Sequence, residues 1–412
     1  MVEKQKKISS FYRTTLGRSG LRWSEPGYIS EEFLTQLRGS RGIKIYREMS
    51  DNDPIVGACL YAIRQILREV RWSVKAADPD KDSKTDPDAI FLDESMRGMT
   101  HSWSDFISEA MSMFVYGWAW FEQVFRIRED GRATWKKIPL RAQSSYESWV
   151  MDKYGDTLGL RQRSSPDYTE RTIPLSKSIH LRTESRANNP EGRSILRNAY
   201  RPWYFRKNFQ EIEGIAVERD LTGLPVMSLP EGMKIEDDSE ENKVAIQWAK
   251  DIVTNIRRDE QAGLVKPFGW GFDLVASPGK HQIDINKTID RYSKEIAISL
   301  LAQFIMLGME RTGSYALAKE LIDMFYASLE GFADYIASAF NRQAVALLFR
   351  INGEDDRPLP YVVHTEIKRE MIRDMAYYVA ALLKENALTL DDDLKAYLKR
   401  YARLEEFSEK RI

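Results

Sequence analysis

The spacing of apolar positions changes along the chain, from a helical period to short strand-like runs and back. Asp53-Pro54 predicts a helix start, because an acidic cap and a first-turn proline favour a helix, and apolar residues then recur with helical spacing through Val70. Ser104 is the predicted cap of a further helix, which Gly117 ends. Short apolar runs predict strands over 72–74, 118–127, 134–138, 148–151, 158–162 and 179–183. This mixture predicts an α+β domain with a mainly antiparallel sheet.

Two long helical segments, 192–221 and 281–308, bracket an insert over 222–280. A helix of about 25 residues is ~37 Å long, so this layout predicts a stalk that carries the insert. Pro202 removes one backbone hydrogen bond and predicts a kink or a restart of the first helix near Arg201. The remaining predicted elements are strands over 223–230, 263–268, 271–277 and 360–364 and helices over 238–258, 316–349 and 366–407.

The charges of the first long helix are separated along its axis, with basic residues early and acidic residues late. The residues predicted to pair between copies are Arg197, Arg201, Arg206, Lys207, Glu211, Glu213 and Glu218. Two different surfaces that complement each other close a ring by rotation, and the separated charges are one candidate for such surfaces. The alternative is an amphipathic helix whose charges are only solvated.

Composition restricts the function classes. The 412 residues are 43% hydrophobic and 30% charged, enough for two or three buried cores. Cys59 is the only cysteine, which excludes an intrachain disulfide and a cysteine zinc cluster and suits a reducing compartment. The N-terminus lacks the layout of a secretory signal, and the longest apolar run, 296–309, is shorter than the ~20 residues that span a bilayer. No membrane partner is expected.

Charge and motif content argue against an enzyme and against a static nucleic-acid binder. The 61 Lys and Arg nearly balance the 62 Asp and Glu, so any DNA contact is expected to be loose or local. Pro278-Gly-Lys-His281 lacks the glycine spacing and the hydroxyl of a phosphate-binding loop, and the four histidines are scattered without metal-type pairing. No catalytic residue, metal or cofactor is expected, and any energy must come from another protein.

Several segments, in order, resemble the portal proteins of tailed bacteriophages, in particular the branch that includes Mu-like portals. They are the helix and Trp-bearing strand over 53–74, Met-Phe-Val-Tyr-Gly-Trp-Ala-Trp-Phe-Glu over 113–122, Glu-Gly-Arg-Ser-Ile-Leu-Arg over 191–197 with Pro202 and Lys207, Leu307-Gly308, and Gly313-Ser-Tyr-Ala-Leu317. The resemblance covers about residues 41–400, and its specificity comes from the order of many short matches.

This resemblance implies a portal fold with an α/β wing, a two-helix stem, a small α/β clip, a tunnel loop and a helical C-terminal crown. The segments are a flexible N-terminal arm over 1–40, the wing over 41–191, stem helices over 192–221 and 281–308, the clip over 222–280, the tunnel loop over 309–316, a tunnel helix with the return to the wing over 317–365, and the crown over 366–412. The C-terminal region is short for the family, which leaves the extent of the crown open.

The resemblance also implies a role. Portals of this kind are dodecameric rings at the capsid vertex of the virion, where they conduct viral DNA during packaging and ejection and nucleate procapsid assembly. The implied partners are other copies of the chain, double-stranded DNA in the channel, the large terminase, the major capsid protein or scaffold, and a head-tail adaptor. Before assembly such a protein lies in the host cytoplasm.

Two sets of site residues follow from the resemblance. The tunnel loop would present Met309, Glu310, Arg311, Thr312, Gly313, Ser314 and Tyr315 to DNA. The charges of Glu310 and Arg311 nearly cancel, which limits the grip on phosphates; the alternative is an ordinary helix-helix turn. In the clip, Trp248, Arg257 and Arg258 form a candidate partner surface, although Trp248 suits the core of a small domain equally well.

Two other functions stay open at this point. One is a different ring component between head and tail, such as an adaptor, although adaptors are generally shorter and lack the helix-insert-helix layout. The other is a metal-dependent nuclease, because Glu366-Ile-Lys368 follows a predicted strand and resembles half of such a site. Glu366 is equally suited to start a helix.

Overall fold

The protein is represented by a computed structural model that describes residues 15–222, 224–230, 233, 239–255, 266–275, 285–301, 315–354 and 356–367. The chain divides into two compact units, one formed by Met1–Ile195 with Leu307–Ile412 and the other by Leu196–Met306. Both units combine helices with antiparallel strands. The α+β class predicted from the sequence is therefore confirmed.

The first unit contains seven of the described α-helices and eleven of the described strands. Its helices are α1 (Gly39–Asn52), α2 (Pro54–Glu69), α3 (Pro87–Arg97), α4 (Trp103–Ala110), α5 (Ser112–Tyr116), α9 (Tyr315–Phe340) and α10 (Ala346–Ile351), with the π-helical turn Asn341–Val345 between the last two. Its strands are β1 (Trp23–Ser24), β2 (Tyr28–Ile29), β3 (Trp72–Lys75), β4 (Trp118–Glu122), β5 (Val124–Ile127), β6 (Ala133–Lys137), β7 (Tyr146–Met151), β8 (Thr157–Arg163), β9 (Glu170–Pro174), β10 (Ser178–Arg182) and β13 (Tyr361–His364).

The second unit holds the two long helices and the insert between them. Its elements are α6 (Tyr200–Thr222), β11 (Leu224–Ser228), α7 (Glu240–Asn255), β12 (Gly271–Val275) and α8 (Ile285–Ser299). β11 and β12 pair antiparallel, from Leu224 opposite Val275 to Ser228 opposite Gly271. α6 begins at Tyr200, two residues before Pro202, so the predicted restart near Arg201 is confirmed. Residues 266–270 form a turn, so the predicted strand over 263–268 is wrong for its described part.

The described strands of the first unit all pair antiparallel, and they form several small sheets. β7, β8 and β9 make one three-stranded sheet, and the pairs are β1 with β2, β3 with β13, β4 with β10, and β5 with β6. The single strand predicted over 118–127 is wrong, because Gln123 separates β4 from β5. Its buried amide accepts from Trp135 Nε1 at 3.1 Å and donates to the carbonyl of Ser178 at 3.3 Å, so the chain turns there from one sheet into the next.

β4 is buried on both faces, which explains its uninterrupted apolar sequence. Trp118 and Trp120 lie on one side of it in a core cluster with Leu21, Ile29, Ile43, Tyr146, Trp149, Leu160 and Ile173. Phe121 lies on the other side against Phe106 of α4, with ring centroids 4.7 Å apart. Because Leu21 and Ile29 are part of the cluster, the flexible arm predicted over 1–40 is incorrect for this stretch, which packs against the Trp149 strand.

The end of α9, the π turn and α10 hold three edge strands through side-chain amides. Asn341 exchanges two hydrogen bonds with the backbone of Val362 in β13, Gln343 with that of His180 in β10, and Asn352 with that of Ala133 in β6, all at 2.8–3.2 Å. Each amide takes the place of a neighbouring strand, because it offers one donor and one acceptor to a backbone edge. The long helix after residue 315 is thereby fixed to three separate sheets at its C-terminal end.

The helix caps show where local sequence was sufficient and where it was not. Asp53 caps α2 as predicted, since its side chain accepts from the backbone N–H of Ile55 at 2.9 Å and of Val56 at 3.0 Å. The predicted cap at Ser104 is wrong by two residues. Ser102 caps α4 instead, because Asp105 three residues later completes a reciprocal pair of hydrogen bonds with it, which Ser104 cannot form.

Candidate functional site: the α6 and α8 helix pair

The two long helices of the second unit pack along each other through aromatic rings. Phe205 and Phe209 of α6 both stack on Tyr292 of α8, with ring centroids 5.9 and 6.0 Å apart and interplanar angles of 18° and 21°. Trp203 and Arg206 of α6 are also buried. These positions recur every three or four residues, the spacing that places side chains on one face of a helix.

Arg206 lies inside the helix pair. It is 3% exposed, and its Nη1 donates to Ser293 Oγ of α8 at 3.2 Å. Arg206 was predicted to pair between copies, but in the structure it is buried against α8 instead. Arg206 follows Trp203 by three residues and therefore shares its inward face, so its guanidinium packs between α6 and α8.

α6 also carries large apolar side chains that the described chain leaves partly uncovered, and Phe205 lies at the border between them and Tyr292. Tyr204, Phe205, Ile212 and Ile215 are 47%, 36%, 52% and 50% exposed, and we refer to these four residues as the α6 stripe. At 3.6 residues per turn, Tyr204, Ile212 and Ile215 fall on one side of the helix, away from Trp203. A helix with apolar residues on two sides requires a second partner besides α8.

The predicted charges lie beside this stripe or outside the described side chains. Arg201 and Glu211 are exposed, and the Arg201 guanidinium lies 5.8 Å from the Phe205 ring centroid. Lys207 is exposed with its Nζ 5.7 Å from the Trp203 ring centroid, whereas Arg197 and Glu213 are half-buried. The side chain of Glu218 is outside the described part. Pairing of these charges between copies stays a prediction.

The insert presents a different aromatic residue from the one that the sequence suggested. Trp248 of α7 is half-buried and packs edge-on against the buried Trp270, with centroids 5.7 Å apart at 85°. Phe268 is fully exposed at the tip of a turn closed by Trp270 N–H donating to the Pro267 carbonyl at 3.3 Å. The turn requires φ +87° at Gly269, so the Pro-Phe-Gly sequence was the available signal for it. Arg257 and Arg258 lie outside the described residues.

The predicted tunnel loop lies outside the described residues, except for its end from Tyr315 onward. Residues 302–314 lie outside the described residues, and Tyr315 is described only as the first residue of α9. The same holds for the crown, of which only residues 366 and 367 are described, and for Lys368 of the nuclease hypothesis.

The described residues offer little that points to catalysis. They contain no group of three or more His, Cys, Asp or Glu side chains that could hold a metal ion. Cys59 is buried, and burial raises the pKa of its thiol to about 12, with Asp53 adding to the effect. His180 is buried too. Burial, together with the smaller effect of the nearby positive charge of Arg182, lowers the pKa of its imidazole to about 3. None of the helices in the described chain is long and apolar enough to cross a membrane.

Glu191 has the one carboxyl group in the described chain whose pKa is clearly raised. Its Oε1 accepts from Trp149 Nε1 at 3.4 Å and from the Tyr146 hydroxyl at 3.5 Å, and no Lys, Arg or His nitrogen of the described chain lies within 4.0 Å. Burial raises the pKa of Glu191 to about 7, with Glu32 adding to the effect while Trp149 and Tyr146 oppose it. This group sits in the Glu-Gly-Arg-Ser segment that carried part of the resemblance.

Comparison with known proteins gives one family and a set of similar folds. The family model described as the portal protein of Mu bacteriophage matches residues 43–396. A chain in the neck of the empty GTA particle, computed with C6 symmetry, superposes with a TM-score of 0.54 at 11% identity, over 86% of this chain and 92% of that chain. A chain in the neck of the native GTA particle, computed with C12 symmetry, gives 0.53 at 10% identity, over 93% and 95%. At these identities the superpositions establish a shared fold alone.

Proposed function

The chain belongs to the family of the portal protein of Mu bacteriophage, and from this premise we propose that it forms a dodecameric ring at the capsid vertex of a virion. Viral DNA would pass through the ring during packaging and ejection, and the ring would nucleate procapsid assembly. Assembly would draw on copies from the host cytoplasm. The family match over most of the chain is the observation that carries this proposal.

The α6 stripe supports a side-by-side contact between copies. Full burial of a large apolar side chain contributes about 1.5–3 kcal/mol, so covering four side chains that are roughly half-exposed contributes about 1 kcal/mol each. Exposed ion pairs contribute at most about 1 kcal/mol and often nothing. The stripe therefore outweighs the charges beside it, which would set the direction of the head-to-tail contact. A ring is the closed arrangement that such a contact produces.

The segments would divide the work as the portal resemblance implies. The wing would be 41–191, the stem helices 192–221 and 281–308 with the clip over 222–280 between them, and the crown 366–412. The described elements support this division, because α6 and α8 enclose a small α/β insert. The tunnel loop, 309–316, would follow the second stem helix.

The charge of the chain supports a channel that does not hold the duplex. Each phosphate that a protein neutralises adds a salt-dependent term to affinity, and a ring multiplies every lining cation by its subunit number. The chain has a net charge of −1, and Glu310 and Arg311 nearly cancel in the proposed tunnel loop. Sliding contact with double-stranded DNA is therefore expected to be weak.

The clip would dock the large terminase during packaging and the head-tail adaptor afterwards, and the wing would contact the major capsid protein or scaffold. Phe268 supports docking of a partner on the clip, because an aromatic side chain fixed on a tight turn is a typical interface anchor. Trp248 would act mainly by supporting Trp270 beneath that turn.

A packaging assay tests the proposal. Procapsids assembled with and without this protein are mixed with terminase, ATP and DNA, and protected DNA is measured after nuclease treatment. We expect DNA protection only in procapsids that contain the protein, because the motor has no docking site without it. Equal packaging in both preparations would favour a ring component that does not dock the motor.

A further inference from the structure

The second unit has a further pair of exposed apolar side chains, on α8 rather than on α6. Ile298 is 53% exposed and Leu301 is 42% exposed, and we refer to these two residues as the α8 ridge. Ile298 lies two residues from Ile296 and two from Leu300, which are both buried, so the helical period places it on the opposite side of α8 from them. Leu301 follows the end of α8, and its N–H donates to the Ile298 carbonyl at 3.0 Å. Ile298 therefore faces away from the residues that α8 buries in its own chain.

The backbone at Leu301 is unusual for a leucine. Its φ is +54°, in the left-handed region that is disfavoured for residues with a Cβ other than Asn and Asp. A helix commonly ends on such a residue, but this residue is usually glycine, which has no Cβ to clash. Leucine gives this turn no backbone advantage, so what it adds is an apolar side chain at the end of the helix. The described chain covers that side chain only in part.

A closed ring needs two different faces on every copy. In a head-to-tail contact a face of one copy meets a different face of the next, and the α6 stripe supplies only one of the two. Among the described residues of the second unit, the other exposed large apolar side chains are Val244, Phe268 and the α8 ridge. Val244 and Phe268 are single residues, whereas the ridge is a pair of residues three positions apart, as Ile212 and Ile215 of the stripe are.

The charges beside the two faces are also complementary. Arg201 is exposed and lies three residues before Tyr204 of the stripe, and Glu295 is exposed and lies three residues before Ile298 of the ridge. Within its own chain Glu295 approaches Arg291 at 3.9 Å, and both side chains are exposed. Such a pair contributes little, so Glu295 can turn toward Arg201 of a neighbouring copy at little cost.

We propose that the α8 ridge of one copy packs on the α6 stripe of the next copy, with Glu295 of the first beside Arg201 of the second. This inference rests on the proposed function, because it names the face that the stripe meets in the ring. It also implies that the stripe does not pair with a second stripe. Two copies joined stripe to stripe would close as a pair and leave no face for a third copy.

Mixing two variants tests this pairing. The stripe variant carries Ile212→Asn with Ile215→Asn, and the ridge variant carries Ile298→Asn with Leu301→Asn. Asn also adopts the left-handed backbone, so the turn at residue 301 is kept. We expect each variant alone to stay a single chain in analytical ultracentrifugation, whereas an equimolar mixture should form complexes of two chains. In these complexes the intact ridge of the stripe variant meets the intact stripe of the ridge variant, and larger assemblies should not form because the remaining faces are altered.

Val244→Asn is the matched control, because Val244 is an exposed apolar residue of the same unit that belongs to neither face. It should assemble as the unmodified protein does, and all variants should keep the unfolding temperature of the single chain. The inference is overturned if the ridge variant assembles as the unmodified protein does, if it forms pairs by itself, or if the mixture stays single chains. A ridge variant with a lower unfolding temperature and no pairing in the mixture would mean that the ridge packs within its own chain. Rings from the ridge variant would leave the proposed function intact, whereas unmodified protein that never assembles would overturn both.

Discussion

Replacing Glu191 by Gln should stabilise the first unit at alkaline pH and leave it nearly unchanged at acid pH. The carboxyl group is enclosed by Tyr146 and Trp149, and no cation of the described chain pairs with it. A charged carboxylate is costly in such surroundings because it loses water without gaining an opposite charge. Gln has nearly the same shape and can still accept from Trp149 Nε1, so the substitution removes mainly the charge.

The magnitude follows from the pKa. Burial raises it from 4.5 to about 7, and at 1.36 kcal/mol per pKa unit the difference corresponds to at most ~3 kcal/mol. Since the side chain keeps some solvent exposure, about 2 kcal/mol is the expected effect. For an acid with a raised pKa, the protonated form is favoured by folding. Its stabilising contribution is complete below the unfolded pKa of 4.5 and is lost as pH rises through about 7.

Thermal unfolding of the full-length protein at pH 8 and pH 4.5 measures this difference. At pH 8 the Glu191→Gln variant should unfold about 4 °C above the unmodified protein, taking about 2 °C per kcal/mol for a large unit. At pH 4.5 the two temperatures should nearly coincide. Glu31→Gln is the control with opposite sign, because hydrogen bonds from the backbone N–H and the side chain of Arg22 lower the pKa of Glu31. A Glu191→Gln variant that is less stable at pH 8, or equally shifted at both pH values, would refute the reasoning.

Three further changes test the fold and the helix pair. Gly117→Ala should lower the free energy of unfolding, measured in denaturant, by more than the ~1–2 kcal/mol that a left-handed backbone costs. The reason is that φ is +92° at Gly117 and a Cβ there would lie 2.4 Å from the Glu191 carbonyl oxygen. Gly131→Ala is the control, because φ is +82° in open space, and it should lose only the left-handed contribution. Gln343→Leu leaves the His180 N–H and C=O without partners and should lower the free energy of unfolding by about 2 kcal/mol. Hydrogen exchange of the β10 amides should become faster in this variant. Gln247→Leu, at an exposed position, should leave that exchange rate unchanged. The double variant Ile212→Asn with Ile215→Asn should prevent association of copies, measured by mass photometry, without lowering the unfolding temperature of the single chain. The double variant Glu211→Lys with Glu213→Lys should weaken association much less. The exposed Val244→Asn should leave association unchanged. Association that survives the loss of both isoleucines but not the charge reversal would mean that ion pairs, and not the α6 stripe, hold the copies together.

Local sequence signals predicted the elements whose causes are local. The acid and proline at the start of α2 and the glycine after α5 each act within a few residues, so they could be read directly. Gly117 illustrates the limit of this approach. Its place at a helix end was predictable, but its close approach to the backbone of 191–194, more than seventy residues later, was not.

The missed features depend on contacts between distant residues. Gln123 ends β4 because its amide bonds to Ser178 and to the backbone of Gln343, 55 and 220 residues away. Arg206 resembled its neighbouring surface charges in sequence, and only the packing of α6 on α8 shows that it faces inward. Order along the chain was enough to suggest the family, whereas the exposed stripe on α6 required the helix pair to be seen.

Electron microscopy of the purified full-length protein under assembly conditions tests the central claim most directly. The account predicts closed rings of twelve copies around an axial opening, with the stem helices of neighbouring copies in contact through the α6 stripe. A protein that stays a single chain under all conditions, or that forms solid clusters without a central opening, would contradict it.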